Sequence, residues 1–430
     1  MKEFFKSVVI YILTFEAAIL LRRKKPKIVA VTGSVGKTST KDAVYASIKD
    51  SVSARKSEKS FNSDIGVTLT VLGLRNGWSN PFVWLVNIID GFFIAFFSQD
   101  YPEVLVLETG IDRPGDMGKL ARWLHPDIVV LTLLPSVPAH VEYFTSPEAV
   151  VTEKMKLVSA MNPNGVLVYN NDDTVIQTQL SEVIQRQVGF GRYLDTDFTA
   201  RKDSVVYNDD QPIGVEFILI HKGKEHRILV KDTIGTQHVY SCSAAIAVAT
   251  ELGVPIEAAI KSIQSLKTPV GRMRILPGIK ATLVIDDTYN SSPVACAQAL
   301  SSLKELTYAK RKIAILGDML ELGKYSSVEH RKIGSAVPSV ADILFTVGVR
   351  SRHIAEGAMA AGMSEKNIYQ YDDVARAGRE LQAFLEPGDI VIVKASQSIR
   401  AERIIEEVMA EPEKASELLV RQDSVWKTIE

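Results

Sequence analysis

Ile28–Ser39 reads IVAVTGSVGKTS, and the fold follows from it. An apolar β-run, Ile28–Thr32, gives way to a turn of Gly33, Ser34, Val35 and Gly36, after which Lys37, Thr38 and Ser39 open a helical pattern. Glycines let backbone N–H groups approach phosphate oxygens, and a helix N-terminus adds favourable partial charge beside them. Lys37 can then reach the β- and γ-phosphates of a nucleotide, and the Thr38 hydroxyl can hold Mg²⁺. Full Walker spacing would put glycine at position 31, where this chain has Val31. A G-x-x-G-K-T turn alone also serves as plain structure; the strand–turn–helix context is what favours nucleotide.

Outward from this loop, apolar runs alternate with helical patterns, which predicts a parallel sheet covered by helices. Strands are expected at Ile28–Thr32, Val104–Glu108, Ile128–Thr132 and Val166–Asn170. Residues 190–232 break the rhythm with short alternating runs such as Gly214–Leu219, the pattern of an antiparallel flap. Helical pattern resumes at Tyr240–Leu252 and Ile256–Leu266. A second α/β series starts near Pro269, with strands at Leu283–Asp286, Lys312–Leu316, Ile343–Val347 and Ile390–Lys394. The reading is α/β throughout: an apolar helix in 1–26, a P-loop domain with a parallel sheet in 27–268, and a Rossmann-like α/β domain in 269–430. The last 20 residues read as a polar, acidic, helix-like tail.

Composition narrows the class. The chain is 46% hydrophobic and 23% charged, too apolar for disorder and too charged for a polytopic membrane protein. Fifty basic residues against 51 acidic ones leave no global field that would point to nucleic acid. Cys242 and Cys296, the two cysteines, have no partners at metal-ligand spacing, which excludes a disulfide scaffold and a cysteine zinc site and fits the cytoplasm.

Two segments stand apart. Val8–Leu21 is almost wholly apolar, interrupted by Glu16 and followed by Arg22, Arg23, Lys24 and Lys25. Phe82–Phe97 is as apolar, with Asp90 and Gly91 at its middle. Both fall short of the ~20 residues a spanning helix needs. Each fits a buried or partner-packed helix, or one lying in a membrane surface; the pair, residues 1–25 and 82–97, allows peripheral contact at the inner face of a membrane.

Further motifs line up behind the loop. TGSVGKTS (Thr32–Ser39) resembles the ATP loop of the Mur ligases, which form amide bonds in peptidoglycan precursors. Phe61–Leu69 (FNSDIGVTL) resembles the N-F-N-N-x-x-G-x-P-L segment of the MurF type, which adds D-alanyl-D-alanine. Val106–Asp116 (VLETGIDRPGD), His140–Phe144 (HVEYF) and Glu153–Leu157 (EKMKL) follow in the family's order. Asp286–Pro293 (DDTYNSSP), and Gly317–Gly323 (GDMLELG) with His330, complete the series. The resemblance covers about residues 27–410. It implies a P-loop Mur-ligase central domain, a Rossmann-like C-terminal domain, ATP and Mg²⁺ as cofactors, and joining of a precursor peptide to a dipeptide or amino-acid amine.

Such a ligase converts a carboxylate into an acyl phosphate, so cations must meet phosphoryl charge. Glu108 closes a strand facing the loop, where a carboxylate can bridge to Mg²⁺. The resemblance makes His140 a second metal ligand and Lys154 an N-carbamate, an anion reaching the same site; the metal set is then Thr38, Glu108, His140 and Lys154. It makes Arg272, in Pro269–Arg272 (PVGR), the arginine that meets nucleotide phosphate, and gives the ribose or nucleotide to Asp286 or Asp287. Asn62, Asn290, His330, Lys394 and Arg400 are the expected substrate-binding residues.

Departures bear on the substrate. Gln237, His238 and Ser241 stand in a segment where the family carries an asparagine beside adenine. Lys394–Gln397 (KASQ) replaces K-G-S-R, so Arg400 or Arg403 would take over the incoming carboxylate. The phosphate loop begins at residue 32, which leaves the family's UDP-sugar-gripping domain missing or supplied elsewhere. An amide ligase acting on another peptide or a polyglutamate is therefore the nearest alternative. A catalytically inactive nucleotide-binding module docked at a membrane is a third, and intact Glu108, His140 and Lys154 argue against it. A zinc-ribbon ligase of MurT type would need four cysteines.

Overall fold

The structure, a computed structural model, describes residues 2–58, 61–78, 80–423 and 426. Two sheets divide it. The first is built from β1 (Lys27–Thr32), β2 (Ala54–Lys56), β3 (Val104–Glu108), β4 (Ile128–Leu131), β5 (Val166–Asn170), β6 (Arg186–Gly191), β7 (Phe198–Asn208), β8 (Gln211–His221) and β9 (Lys224–Lys231). Their order is β2-β3-β1-β4-β5-β6-β7-β8-β9, parallel as far as β7 and antiparallel through β8 and β9. The expected flap is thus an extension of the main sheet by three long strands. The apolar runs of β1, β3 and β4 are fully explained by burial on both faces. Val29, Val31 and Val130 enter one core while Ile28, Ala30 and Leu131 enter the other.

The chain passes from β1 to one side of the sheet, through β2 and β3, before crossing to β4 on the other. In a parallel sheet the crevice beyond the strand ends opens at such a reversal. The phosphate loop lies there.

The second sheet holds β10 (Arg274–Gly278), β11 (Thr282–Asp286), β12 (Lys312–Gly317), β13 (Ile343–Val347), β14 (Ile368–Tyr371) and β15 (Ile390–Lys394). Its order is β10-β11-β15-β12-β13-β14, with only β10 antiparallel. β2, β6, β10 and β14 escaped the sequence reading: β2 is three residues long, β6 opens on the polar pair Arg186–Gln187 and ends on two glycines in its last three residues, and β10 and β14 are edge strands whose burial is incomplete.

Four helices of the first half bear on function: α1 (Lys2–Lys24), α2 (Lys37–Ile48), α3 (Asp64–Leu72) and α4 (Pro81–Phe97). α1 is no detached appendage. Leu13, Ala17 and Leu20 are fully buried in one core with Val67 and Leu69 of α3 and Ala95 of α4. No helix of the described residues is long and apolar enough to cross a membrane.

Of the tail read as helix-like, residues 424–425 and 427–430 lie outside the described residues; in 411–423 the α-helix is confined to Ala415–Leu418, Leu419 and Val420 are buried, and Arg421 pairs with Glu402 at 2.6 Å. Two buried apolar side chains and the Arg421–Glu402 ion pair hold this segment down more firmly than helix propensity would, so packing outweighs local preference.

Candidate active site

The phosphate loop needs its two glycines for different reasons. Gly33 has φ +142°, and a Cβ there would lie 2.1 Å from the Thr132 hydroxyl. Gly36 caps α2 with φ +85° in open space, so conformation alone selects it. Val31, where Walker spacing asks for glycine, is an interior residue of β1 paired with Glu108 and Val130. The tight turn starts only after Thr32. Thr132, just past β4, donates to the carbonyls of Thr32 and Val35, and Ser34 N–H donates to Leu133 O at 2.7 Å. Neighbouring strand ends therefore hold the loop in place before any ligand arrives.

Around it lies a cavity of about 560 Å³. Ser34, Val35, Gly36, Lys37 and Thr38 form one wall, with Asn62, Glu108, Asp112 and His140 beside them. Arg272, Tyr289, Asn290 and Gln397 close it from the second half of the chain. Ser39, one residue further along α2, is buried. The sequence series thus converges from both halves on one space.

The Thr38 hydroxyl donates to Glu108 Oε1 at 3.2 Å, and Asn62 Nδ2 donates to the same oxygen at 3.4 Å. Glu108 Oε2 is buried and accepts no hydrogen bond; Lys41 Nζ stands 3.9 Å away. A buried carboxylate oxygen without a donor is costly unless something cationic meets it. Thr38 and Glu108 are oxygen donors of the kind Mg²⁺ prefers, with phosphate and water completing its shell. Among the described residues no three His, Cys, Asp or Glu side chains converge as a metal cluster, so any ion held here leans on ligands from outside the protein.

Lys37 is half-buried on the cavity wall, and desolvation lowers its pKa against the pull of Glu108. Lys154, on the helix Pro147–Ser159, lies behind the loop and donates to Gly33 O at 3.0 Å. Burial first, and the Lys37 charge second, hold the Lys154 ammonium well below its ordinary range. Among the described residues neither lysine has a carboxylate ion pair, so the space under the phosphate loop is set to receive an anion.

His140 adopts φ +67°, unusual for a residue with a side chain, and its Nδ1 lies 2.6 Å from Glu321 Oε2 in the second half of the molecule. The hydrogen bond from His140 holds the Glu321 carboxyl below its usual range. Arg272 also crosses between halves: Nη2 donates to the Thr38 hydroxyl at 3.2 Å, and the guanidinium lies 4.0 Å above the Tyr289 ring. Its Nε is buried without a hydrogen-bond partner. Gly271 lets the chain turn here, since a Cβ would meet Val420 at 2.8 Å and the φ is +71°.

Other expected residues do not reach the cavity wall. Asp286 is fully buried and accepts from Gly271 N–H, Thr288 N–H and the Thr288 hydroxyl; burial lifts its pKa to about 6. Asp287 pairs with Lys394 at 2.6 Å, and Lys394 also donates to Asn290 O. These two carboxylates and Lys394 brace the loop that carries Tyr289 and Asn290. His330 is fully buried, accepts Met319 N–H at Nε2, and through Nδ1 meets Ser326 O at 2.7 Å. It shapes the turn that presents Glu321. Arg400 pairs with Glu402 at 2.7 Å and donates to Trp426 O, so it anchors the tail. A buried ion pair satisfies each cation internally, a distinction that residue type and spacing do not carry.

Where the family's adenine-side asparagine would be, His238 is buried against Thr233 and Arg272 O, and desolvation pushes it down to about 4. Ser241 accepts from the Thr40 hydroxyl, and Gln237 Oε1 is buried without a partner. Asp112, Trp78 and Glu321 were not singled out from sequence, although Asp112 and Glu321 lie inside recognised motifs; Gln397 was noted as the residue that departs from K-G-S-R, and it lines the cavity.

A phosphate loop at a sheet's reversal point, an adjacent strand-end carboxylate and a cationic side chain from a second α/β unit define a nucleotide-dependent ligase of the P-loop class. Residues 91–249 match the Mur ligase middle domain, and residues 271–397 match the Mur ligase glutamate ligase domain. The chain is 26% identical to the UDP-N-acetylmuramoyl-tripeptide–D-alanyl-D-alanine ligase of Bacillus subtilis (strain 168), over 92% of this chain and 79% of that protein. It is 28% identical to the corresponding ligase of Mycobacterium leprae (strain TN), over 86% and 71%. The MurF ligase of Thermotoga maritima, solved in complex with ADP, shares the fold with a TM-score of 0.75 at 23% identity, over 93% of this chain and 83% of that one. This chain belongs to the Mur ligase family.

Proposed function

We propose that the protein is an ATP-dependent amide ligase of MurF type, joining a peptidoglycan-precursor peptide to D-alanyl-D-alanine. The observation that carries this is the single cavity shared by Lys37, Thr38, Glu108, His140 and Arg272. A substrate carboxylate oxygen attacks the γ-phosphorus, the bond to the β,γ-bridging oxygen breaks, and ADP leaves. The amine nitrogen then attacks the acyl carbon, phosphate departs, and the surplus proton passes to solvent. The residues supply charge and position. Lys37 and the loop N–H groups meet the transferring phosphoryl group, and Arg272 approaches it from the second half as the cleft closes. Mg²⁺, held by Thr38 and Glu108, would neutralise phosphate oxygens, with His140 as the further ligand once released from Glu321.

Lys154 is assigned as an N-carbamate. Its depressed pKa supplies the neutral amine that adds to CO₂ with loss of a proton, and the product is an anion beside the metal position. Asp286, Asp287, Lys394 and His330 act as positioning residues. Residues 27–268 form the ATP-binding unit and 269–430 the closing one, with 1–26 packed onto the former. We place the enzyme in the cytoplasm, with residues 1–25 and 82–97 turned to a membrane.

Gln397, on the cavity wall in place of the family's arginine, makes the amine the component to test. ADP release is measured with UDP-N-acetylmuramoyl-tripeptide, alone and with D-alanyl-D-alanine or glutamate. Release requiring the tripeptide and D-alanyl-D-alanine together is the expected result. Release with glutamate instead would move the protein to the polyglutamate type, and release with neither would overturn the ligase assignment.

A further inference from the structure

α4 is packed inside out. Its buried residues are Asn87, Gly91 and Ala95, a small and partly polar stripe at four-residue spacing that fits against α1. Trp84, Ile88 and Ile94 pack partly against the core, but most of its large apolar residues face away from the protein. Phe82, Ile89, Phe93 and Phe97 are 70%, 49%, 57% and 64% exposed, and Tyr11 and Phe15 of α1 continue the same outward surface at 74% and 59%. Phe92 and Phe96 stack at 4.8 Å between ring centroids, and Phe93 and Phe97 at 5.9 Å. Contiguous apolar surface of this kind marks a contact with something outside the chain.

Charge identifies the occupant. Arg23 donates to the carbonyls of Ala95 and Ser98, and Lys24 to that of Gln99, so the C-terminal end of α1 is fastened to the C-terminal end of α4. That contact sets Arg23 and Lys24 beside the phenylalanine cluster, with Arg22 and Lys25 on the adjoining turn, where they line a pocket with His125 and Asp127. Arg22 and Lys25 are exposed and make no ion pair among the described residues. Arg23 and Lys24 spend their hydrogen bonds on neutral carbonyls and keep their charge. An aromatic face with cations at its rim matches an anionic lipid surface, with rings at the acyl boundary and cations at the headgroups. A second copy of the chain matches it poorly. A two-fold contact with antiparallel helices would bring each cationic end to the partner's Arg75–Pro81 (RNGWSNP), which carries no carboxylate. Asp90, in mid-helix, Asp100 and Glu103, beyond its end, and Asp127, paired with Lys27 at 3.0 Å, are the acidic residues nearby.

We propose that the outer faces of α1 and α4 form a monotopic docking surface for anionic lipid bilayers. The helices lie in the headgroup plane and do not span. Trp78, which lines the catalytic cavity, precedes α4 by a short turn, and Trp84 Nε1 donates to its carbonyl. Docking therefore brings the mouth of the cavity to the membrane surface, where a substrate carried by a lipid would present its peptide. The docking assignment stands apart from the ligase chemistry.

Flotation of the full-length protein with phosphatidylcholine vesicles, with and without phosphatidylglycerol, tests it. Wild type is expected to float with the anionic vesicles, less so in high salt, and to stay at the bottom with phosphatidylcholine alone. Phe93→Glu/Phe97→Glu is expected to abolish flotation. Arg22→Gln/Lys25→Gln, at exposed positions that leave the fold intact, should weaken anionic-vesicle binding roughly fivefold per charge. Wild type that fails to float with any vesicle overturns the proposal, as does flotation unchanged by both variants. A concentration-dependent dimer that Phe93→Glu/Phe97→Glu dissociates, with no vesicle binding, gives the face to a second copy and also overturns it.

Discussion

The catalytic cleft and the outer face of α4 break the same rule in opposite directions. In the cleft, Lys41, Lys154 and Glu108 are charged groups taken out of water, with Lys37 partly so; on α4, five phenylalanines stand in it. Both arrangements cost stability in the isolated chain, and both make sense when a missing component is supplied. The components differ in kind. A phosphate or carbamate answers point charges and must be placed to within a fraction of an ångström, which is why the loop is fastened by Thr132 and Leu133 on one side and Lys154 on the other. A lipid surface answers area, and needs only a rigid helix pair with cations at the correct end.

Predictions that separate the two regions begin with Lys37→Ala. Loss of a fixed cation at the transferring phosphoryl group should reduce kcat by on the order of 10² or more, with vesicle flotation unchanged. Steady-state ADP release on the folded variant checks it. Near-normal turnover would detach the loop from the chemistry.

Lys154→Ala should be inactive to a similar degree, and formate or acetate in the assay should restore part of the rate by supplying the missing anion. Wild type assayed in CO₂-depleted buffer should lose activity and regain it on adding bicarbonate. Acidification sharpens the test, because the amine must be neutral to add CO₂: burial lowers its pKa and so favours the neutral form over that of an exposed lysine, and protonation removes it as pH falls. A Lys154→Ala variant with full activity and no response to carboxylic acids would return the residue to a purely structural role.

Glu16 joins the regions' logic in one side chain. It is buried at the α1–α4 contact, where a Cβ on Gly91 would lie 2.2 Å from its Oε2, and burial holds its carboxyl up at about 7. The folded state therefore binds the proton more tightly than the unfolded chain, whose carboxyl titrates near 4.5. Its neutral form stabilises the fold fully below that lower value, and the stability is lost as pH rises through about 7. Glu16→Gln should match wild type near pH 4 and exceed it by about 1–3 kcal/mol at pH 8. Denaturant melts at the two pH values read the difference, and equal gains at both would refute the titration.

The smallest expected effect belongs to His330→Gln. If His330 only shapes the Met319 turn, the variant should raise KM a few-fold while leaving kcat and its pH profile nearly unchanged, because no proton or substrate contact is removed. A large fall in kcat with an altered acid limb would give His330 a direct part.

Apolar runs were enough to place eight strands of the two sheets, because a strand buried on both faces carries its burial in its own composition. Val104–Glu108, Val166–Asn170, Ile343–Val347 and Ile390–Lys394 came out with the expected bounds. Ordered motifs were likewise enough to name Lys37, Thr38, Glu108, His140 and Arg272, since each stands at a strand end or hinge whose chemistry depends on residue type. Tertiary structure alone decided what each remaining charge faces. Lys394 and Arg400 read as substrate ligands until Asp287 and Glu402 proved to hold them, and the direction of α4's aromatic residues depended on which narrow stripe α1 accepts. Strand burial and loop chemistry are local properties of the chain; the partner of a buried ion and the outward side of a helix are set by residues far away in sequence.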